Sequence, residues 1–591
     1  RGVPGLDEWR AATSFALKQL SGLASGEVSL NNLAYSIIGE AASAKSYESL
    51  ISDLDALPKG VTLAAESVTA PVVSPHRLDA AYDGKVLELS GVAPDFAARD
   101  ALLAAAKTLL PQARIKSEVA IAGGGIESAT WSRGTSYALQ QFARMSKATA
   151  SLEDGKLSIS GEAASVEDYE SVQAALAAVP AGIELVSADI LPAAADSFAW
   201  TASLDDSGVM LGGFVPSEAA RAAIAENAAK SFPEIVIGNR MRVAKGPDEA
   251  SDDAWVAGSG FALGQLTHLE EGRAVMTPGS LSLSGTARTP EDFDAVNAAL
   301  ALLPEGFDLG SNSVLPPIVD PFTWSATLAN DGVTMDGYAP TIAIRNGLVD
   351  VFGDARPGTE VRSTVKVSRG PLAGARFSEV AGFTARMFAL FSDGEARLEG
   401  DVYSLSGTAR DVDAFKAAKS ALEKLPADVK AGELSVTPAA IGVLSWTATR
   451  DQNQIVLDGF VPSEAVRKSV VKAAEQSVPG AVITDRMEVA SGGPEAAIWG
   501  NATAFALKQL GRMTRGQARL SGSDFSLEGI APDFDAYDGI LADVPGAMPG
   551  GLQLVRADIL PPSLSPYVWG AKRDQASLTL HGHVPSEAVR A

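Results

Sequence analysis

Tryptophan recurs along this chain at a nearly fixed interval, and that recurrence constrains the fold more than any other feature. Trp9, Trp131, Trp255 and Trp499 open the segments WRAATSFALKQL, WSRGTSYALQQF, WVAGSGFALGQL and WGNATAFALKQL, with Phe377 of FSEVAGFTARMF in the vacant place. The steps are 122, 124, 122 and 122 residues. A second series, Trp200, Trp324, Trp446 and Trp569, keeps the same period. Glycines follow it too. Gly39, Gly161, Gly285, Gly407 and Gly529 end one set of strand-like runs, and Gly91, Gly213, Gly337, Gly459 and Gly582 end another. Eight residues after each of the second set stands an arginine: Arg99, Arg221, Arg345, Arg467 and Arg590. Such register over five copies means a tandem array of a unit about 123 residues long.

Each unit contains two halves. The first reads αββαβ: an amphipathic opening helix (131 to about 145 in the second copy), a hairpin, a helix from Val166 to about Val179, and a last strand, IELVSADI. ATASL and KLSIS flank Glu153-Asp154-Gly155, and Asp-Gly between alternating apolar runs is a strong hairpin signal. The second half reads ββαβ. A Trp-bearing strand and a run such as VMLGGFV precede Pro216-Ser217-Glu218, which opens a helix with Ser as N-cap and Glu in the first turn. In the fourth copy Val466, Val470, Ala474 and Val478 mark one helix face, Pro479-Gly480 stops it, and ITDRMEV closes the half as a single strand.

The expected organisation is an α+β, elongated array of small αββαβ and ββαβ modules, in about five double repeats. Residues 1–8 are the tail of a preceding module. Modules 1a and 1b occupy 9–75 and 76–128, 2a and 2b 129–197 and 198–254, and 3a and 3b 255–321 and 322–375. Modules 4a and 4b occupy 376–442 and 443–498, 5a takes 499–566, and 567–591 is a truncated 5b. The chain therefore reads as an internal piece of a longer protein. Short Pro-bearing joints such as LPAAADS, LPPIVDP and LPPSLSP suit stiff connections.

Composition excludes several classes. Lys+Arg is 48 against 72 Asp+Glu, a net charge of −24, which leaves no electrostatic footprint for nucleic acid. No run approaches the roughly 18–20 apolar residues of a spanning helix. The 591 residues include no cysteine, so disulfides, thiolate catalysis and Cys-ligated metals are out.

The unit GVMLGGFVPSEAARAAIAENAAKSFPEIVIGNRMRVA resembles a BON domain, in its V-x-L-x-G-x-V strand, its Ala-rich helix with an early Arg and its final apolar strand. Tandem repeats of this kind are similar to the forepart of OmpA-family envelope proteins, particularly alphaproteobacterial ones. The resemblance implies a periplasmic or cell-envelope location in a Gram-negative bacterium, with phospholipid or partner-protein contact as the family's suggested role. Peptidoglycan contact would come through an unseen C-terminal domain.

No residue nominates itself for catalysis. His581 and His583 share a strand face fit for a metal, but the fourth copy has Asp458 and Phe460 there, so a chance pair is the reading taken. GSGFALG at 258–264 lacks the strand that a nucleotide loop requires. The expectation is no enzyme, no cofactor and no metal. The Trp residues are read as core or inter-module anchors, the glycines as bulges or close-packing points, and the arginines as partners of the Glu three residues earlier or of a neighbouring module. The function expected is a scaffold or spacer whose partners are other envelope proteins or itself. The rivals are a phospholipid-binding array and a self-assembling filament or ring subunit.

Overall fold

The computed structural model describes residues 5–248, 250–585 and 587–591; the expected tail at 1–8 lies partly outside them. The fold is α+β throughout, and the chain divides into two compact units, Arg1–Leu315 and Pro316–Ala591. Each unit contains two large sheets built on one plan.

The plan is clearest at 445–560. Strand β1 (Ser445–Asp451) and strand β2 (Gln454–Val461) form a hairpin, helix α1 (Glu464–Ser477) crosses over, and β3 (Val482–Val489) returns parallel to β2. Helix α2 (Ala496–Leu510) follows, then the hairpin β4 (Arg515–Ser521) and β5 (Asp524–Ile530), helix α3 (Phe534–Gly546), and β6 (Gln553–Leu560) parallel to β5. The strand order is β3-β2-β1-β4-β5-β6. The central pair β1 and β4 runs antiparallel, with Ala448 directly opposite Ala518.

That pairing joins the second half of one repeat to the first half of the next. The sequence repeat and the sheet are thus out of phase by half a unit. The same joint recurs with Ala80 opposite Ala150, Ala202 opposite Ala274 and Ala326 opposite Ala396. Residues 23–69, the first half of repeat 1, form a three-stranded sheet, and Trp569–Arg573 with Leu578–Gly582 form a two-stranded one.

Local chemistry explains the elements. Ser463 caps α1 by accepting from the Val466 amide at 3.2 Å, and Asp533 caps α3 by accepting from Ala536 at 2.7 Å. Val466, Val470 and Ala474 bury the inner face of α1, while Gly480, with φ +81, lets the chain turn away. Alternate residues of β1, β2, β4 and β5 share one core with α1 and α2. Thr447, Thr449, Asp458 and Arg519 face the opposite, polar side.

Several boundaries differ from the sequence reading. The second opening helix runs Ser128–Phe142, and Met145 already belongs to the next strand. The following helix stops at Leu176, short of Val179, because the residue before a proline is held out of the helical region. The closing strands of 2b and 3b are each split, into Ile237–Asn239 with Arg242–Val243, and Val361–Ser363 with Lys366–Val367. At the breaks Asn239 accepts from the Met241 amide at 3.0 Å, and the Thr364 hydroxyl donates to the Met335 carbonyl at 3.1 Å.

Candidate interaction surface

The tryptophans divide by whether their half has a partner. Trp131, Trp255 and Trp499, and Phe377 in their series, are at most 1% exposed, on opening helices packed against the helix of the preceding half. Trp255 shows the anchoring directly. Its Nε1 donates to the Phe214 carbonyl at 3.0 Å, reaching from repeat 3 into repeat 2, and its ring lies 4.8 Å from that of Phe198. Trp200, Trp324 and Trp446 stand on the central strands themselves and are fully buried. Trp9 is 38% exposed and Trp569 57%; neither half is joined to a second half among the described residues.

The glycines sit where chains come close. A Cβ on Gly91, Gly213, Gly337, Gly459 or Gly582, all at positive φ, would stand 2.2–2.4 Å from a carbonyl oxygen of the neighbouring strand. Gly39, Gly161, Gly285 and Gly407 lie beside the register shifts of their hairpins, and a Cβ on Gly529 would stand 2.5 Å from the Arg515 carbonyl. These positions reject side chains for reasons of backbone approach.

The arginines are engaged. Arg99 reaches Glu48 of the preceding half at 2.7 Å. Arg221 pairs with Glu218 at 2.6 Å. Arg467 pairs with Asp485 at 2.8 Å and, more loosely, with Glu464. Arg345 donates to Asn346 at 3.3 Å, and Arg590 lies 3.7 Å from Asp538.

Glu48 and Asp538 belong to a position that the sequence reading overlooked. It recurs as Glu48, Glu170, Asp294, Lys416 and Asp538 on the second helix of the first halves. Glu170 and Glu167 together grip Arg242 at 2.8 and 2.7 Å, tying one sheet to the next within the first unit. Hydrogen bonds donated to these two carboxylates push the Arg242 pKa up, and the same guanidinium holds Glu167 below the usual carboxylate range. At the corresponding joint of the second unit the polarity is reversed, with Lys416 on the helix and Glu488 on the strand. The signal was present in the sequence as charged residues at one phase of the repeat. Their partners, 51 to 72 positions away, were not legible from it.

His583 stacks on Phe534 at 4.9 Å, just beyond the strand that ends at Gly582. The described residues hold no group of three or more His, Cys, Asp or Glu arranged for a metal, and no helix among them is long and apolar enough to cross a membrane.

These elements agree with what comparison finds. Residues 448–491 match the family model of the BON-like domain, so this stretch, from β1 through α1 to β3 and the two residues after it, is a BON-like domain. The second halves of the first three repeats repeat its ββαβ order. No curated protein and no solved structure matches the chain.

Proposed function

We propose that this protein is a non-enzymatic scaffold of the bacterial cell envelope, periplasmic in a Gram-negative cell, that spaces or tethers a membrane or partner protein relative to peptidoglycan. One observation carries the reading: consecutive repeats are fused through backbone pairing at the centre of each sheet. Within each sheet a half is ordered by its neighbour, as in repeat arrays. The BON-like domain at 448–491 supports the envelope setting. Other envelope proteins or further copies of the chain are the partners this role requires, and peptidoglycan contact belongs to a domain beyond these residues.

The phospholipid-array reading draws on the same BON-like domain, with the recurrent arginines as headgroup ligands. It is the weaker one. Arg99, Arg221 and Arg467 are already held by carboxylates, which lowers their value to a phosphate. The filament or ring reading would need an added contact between copies.

The test is in-frame removal of residues 322–443, which takes out one whole sheet. Small-angle scattering should show a folded protein of reduced maximum dimension, and a tethered partner in cells should move accordingly. An unchanged dimension would sink the spacer reading. Salt-sensitive sedimentation with anionic liposomes, lost on combined replacement of Arg221, Arg345 and Arg467 by Ala, would install the lipid reading instead.

A further inference from the structure

Two strands have an open side where their counterparts are paired. Among the described residues Leu23–Asn31 pairs only with Ala34–Ala41, and Trp569–Arg573 only with Leu578–Gly582. In the four large sheets the counterparts of these two strands meet each other at the central joint. The chain therefore presents one surface of each kind. Both leave bare the apolar groups that pairing covers elsewhere: Trp569, Leu578 and Leu580 are 57%, 62% and 59% exposed, where Trp446, Ile455 and Leu457 are at most 1% exposed.

The two surfaces fit each other in the register the chain already uses. In the sheet at 445–560, Trp446 stands opposite Leu520, Ala448 opposite Ala518 and Thr449 opposite Gln517. The repeat puts Trp569, Ala571 and Lys572 in the places of the first three, and Leu30, Val28 and Glu27 in the places of their partners. Opposite charges, both exposed, then face each other directly where the Gln517 amide donates to the Thr449 hydroxyl at 3.1 Å. Arg573 takes the place of Arg450, which donates to the Leu510 and Gly511 carbonyls at the end of an opening helix. Leu20 and Ser21 end the first opening helix at the same positions. Finally, Trp9 and Tyr567, 38% and 54% exposed, stand where the rings of Trp255 and Phe198 meet at 4.8 Å.

We propose that Trp569–Arg573 of one copy adds antiparallel to the open side of Leu23–Asn31 of a second copy. An unpaired edge is a template for this kind of strand addition. The joint closed four times within a chain is then closed once more between chains, with Lys572 on Glu27 setting the register. Each copy offers one surface of each kind, so the contact is heterologous and continues into a fibre or closes into a ring. It gives the scaffold reading above a second copy of this chain as partner, and rests on that reading only for the use to which the assembly is put.

The test is sedimentation velocity of the whole chain at about 0.15 M salt, over a concentration range of about 1 to 100 μM. A mean mass that rises with concentration is the expected result. Glu27→Lys and Lys572→Glu each set like charges opposite one another and should each weaken association about tenfold. An equimolar mixture of the two variants restores opposite charges at every contact between unlike chains, so association should return on mixing. Loss of folding cannot produce that rescue, and circular dichroism checks each variant. A monomer at every concentration overturns the proposal and leaves the two edges to other partners. So does association undiminished in both variants, or a mixture as weak as the variants apart. The deletion test above reads spacing within one copy, so either reading can fail without the other.

Discussion

Single side chains decide where one copy of the repeat is better satisfied than another. Trp200 and Trp446 donate from Nε1 to the sulfur of Met241 and Met487, at 3.1 and 3.2 Å. Trp324 meets Val365 at the corresponding position, and its Nε1 is buried with no partner. Val365→Met should therefore raise stability by about 0.5–1 kcal/mol, read as a shift in the denaturation midpoint. Tyr403 and Tyr35 make a second such pair. The Tyr403 hydroxyl bonds to Thr384 at 2.8 Å, whereas Tyr35 faces the equivalent of that helix position as Ala16 and has no partner. Burial pushes the Tyr35 pKa up to about 12. Thr384→Ala should cost about 1–3 kcal/mol by stranding the Tyr403 hydroxyl. A cost near zero would show that the pair contributes nothing net.

At the scale of elements, the joints between sheets rest on a few charged contacts. The Glu167 pKa lies below its ordinary value because Arg242 donates to it. A carboxylate depressed on folding contributes stability above its unfolded pKa, near 4.3, and loses that contribution as the pH falls through the folded value. Acidification from about pH 6 to about pH 3 should therefore loosen this joint, seen as lower hydrogen-exchange protection at Arg242–Val243 relative to the intrinsic rate at each pH. Glu167→Gln with Glu170→Gln should show the lower protection at both pH values. In the second unit the reversed pair offers a charge-swap test. Lys416→Glu faces Glu488 with a like charge and should lose about 0.5–1 kcal/mol, and adding Glu488→Lys should restore most of it. If the double variant stays as weak as the single one, the pair does not hold the joint.

At the scale of the whole chain, the phase of the folding unit is the main result. Residues 444–560 contain both halves of a sheet and most of one hydrophobic core. Residues 376–498 are a full repeat as the sequence is written, yet they hold two halves that belong to different sheets. The first fragment should unfold cooperatively on its own, whereas the second should lack a cooperative thermal transition, with Phe377 and Trp446 uncovered. Calorimetry of the two fragments checks this, and equal cooperativity would refute it. Trp9 already shows the effect, being 38% exposed on a half without a partner where Trp131 is 1% exposed.

The sequence alone determined the repeat, the two kinds of half, the hairpin at Asp154-Gly155, the helix caps and the period of the tryptophans. All of these are written in local spacing: period two for strands, 3.6 for helices, and fixed φ preferences at turns. Tertiary structure decided which half joins which. Either neighbour of a half is close along the chain, so connection length does not discriminate between them. The choice falls to complementary surfaces, where an opening helix with its Trp or Phe covers the sheet of the half before it and an Ala–Ala pair lets the two central strands meet. The partners of Glu48, Glu170 and Lys416 follow only once that choice is made. Burial and cross-strand contact are properties of pairs of segments, and neither segment records them by itself.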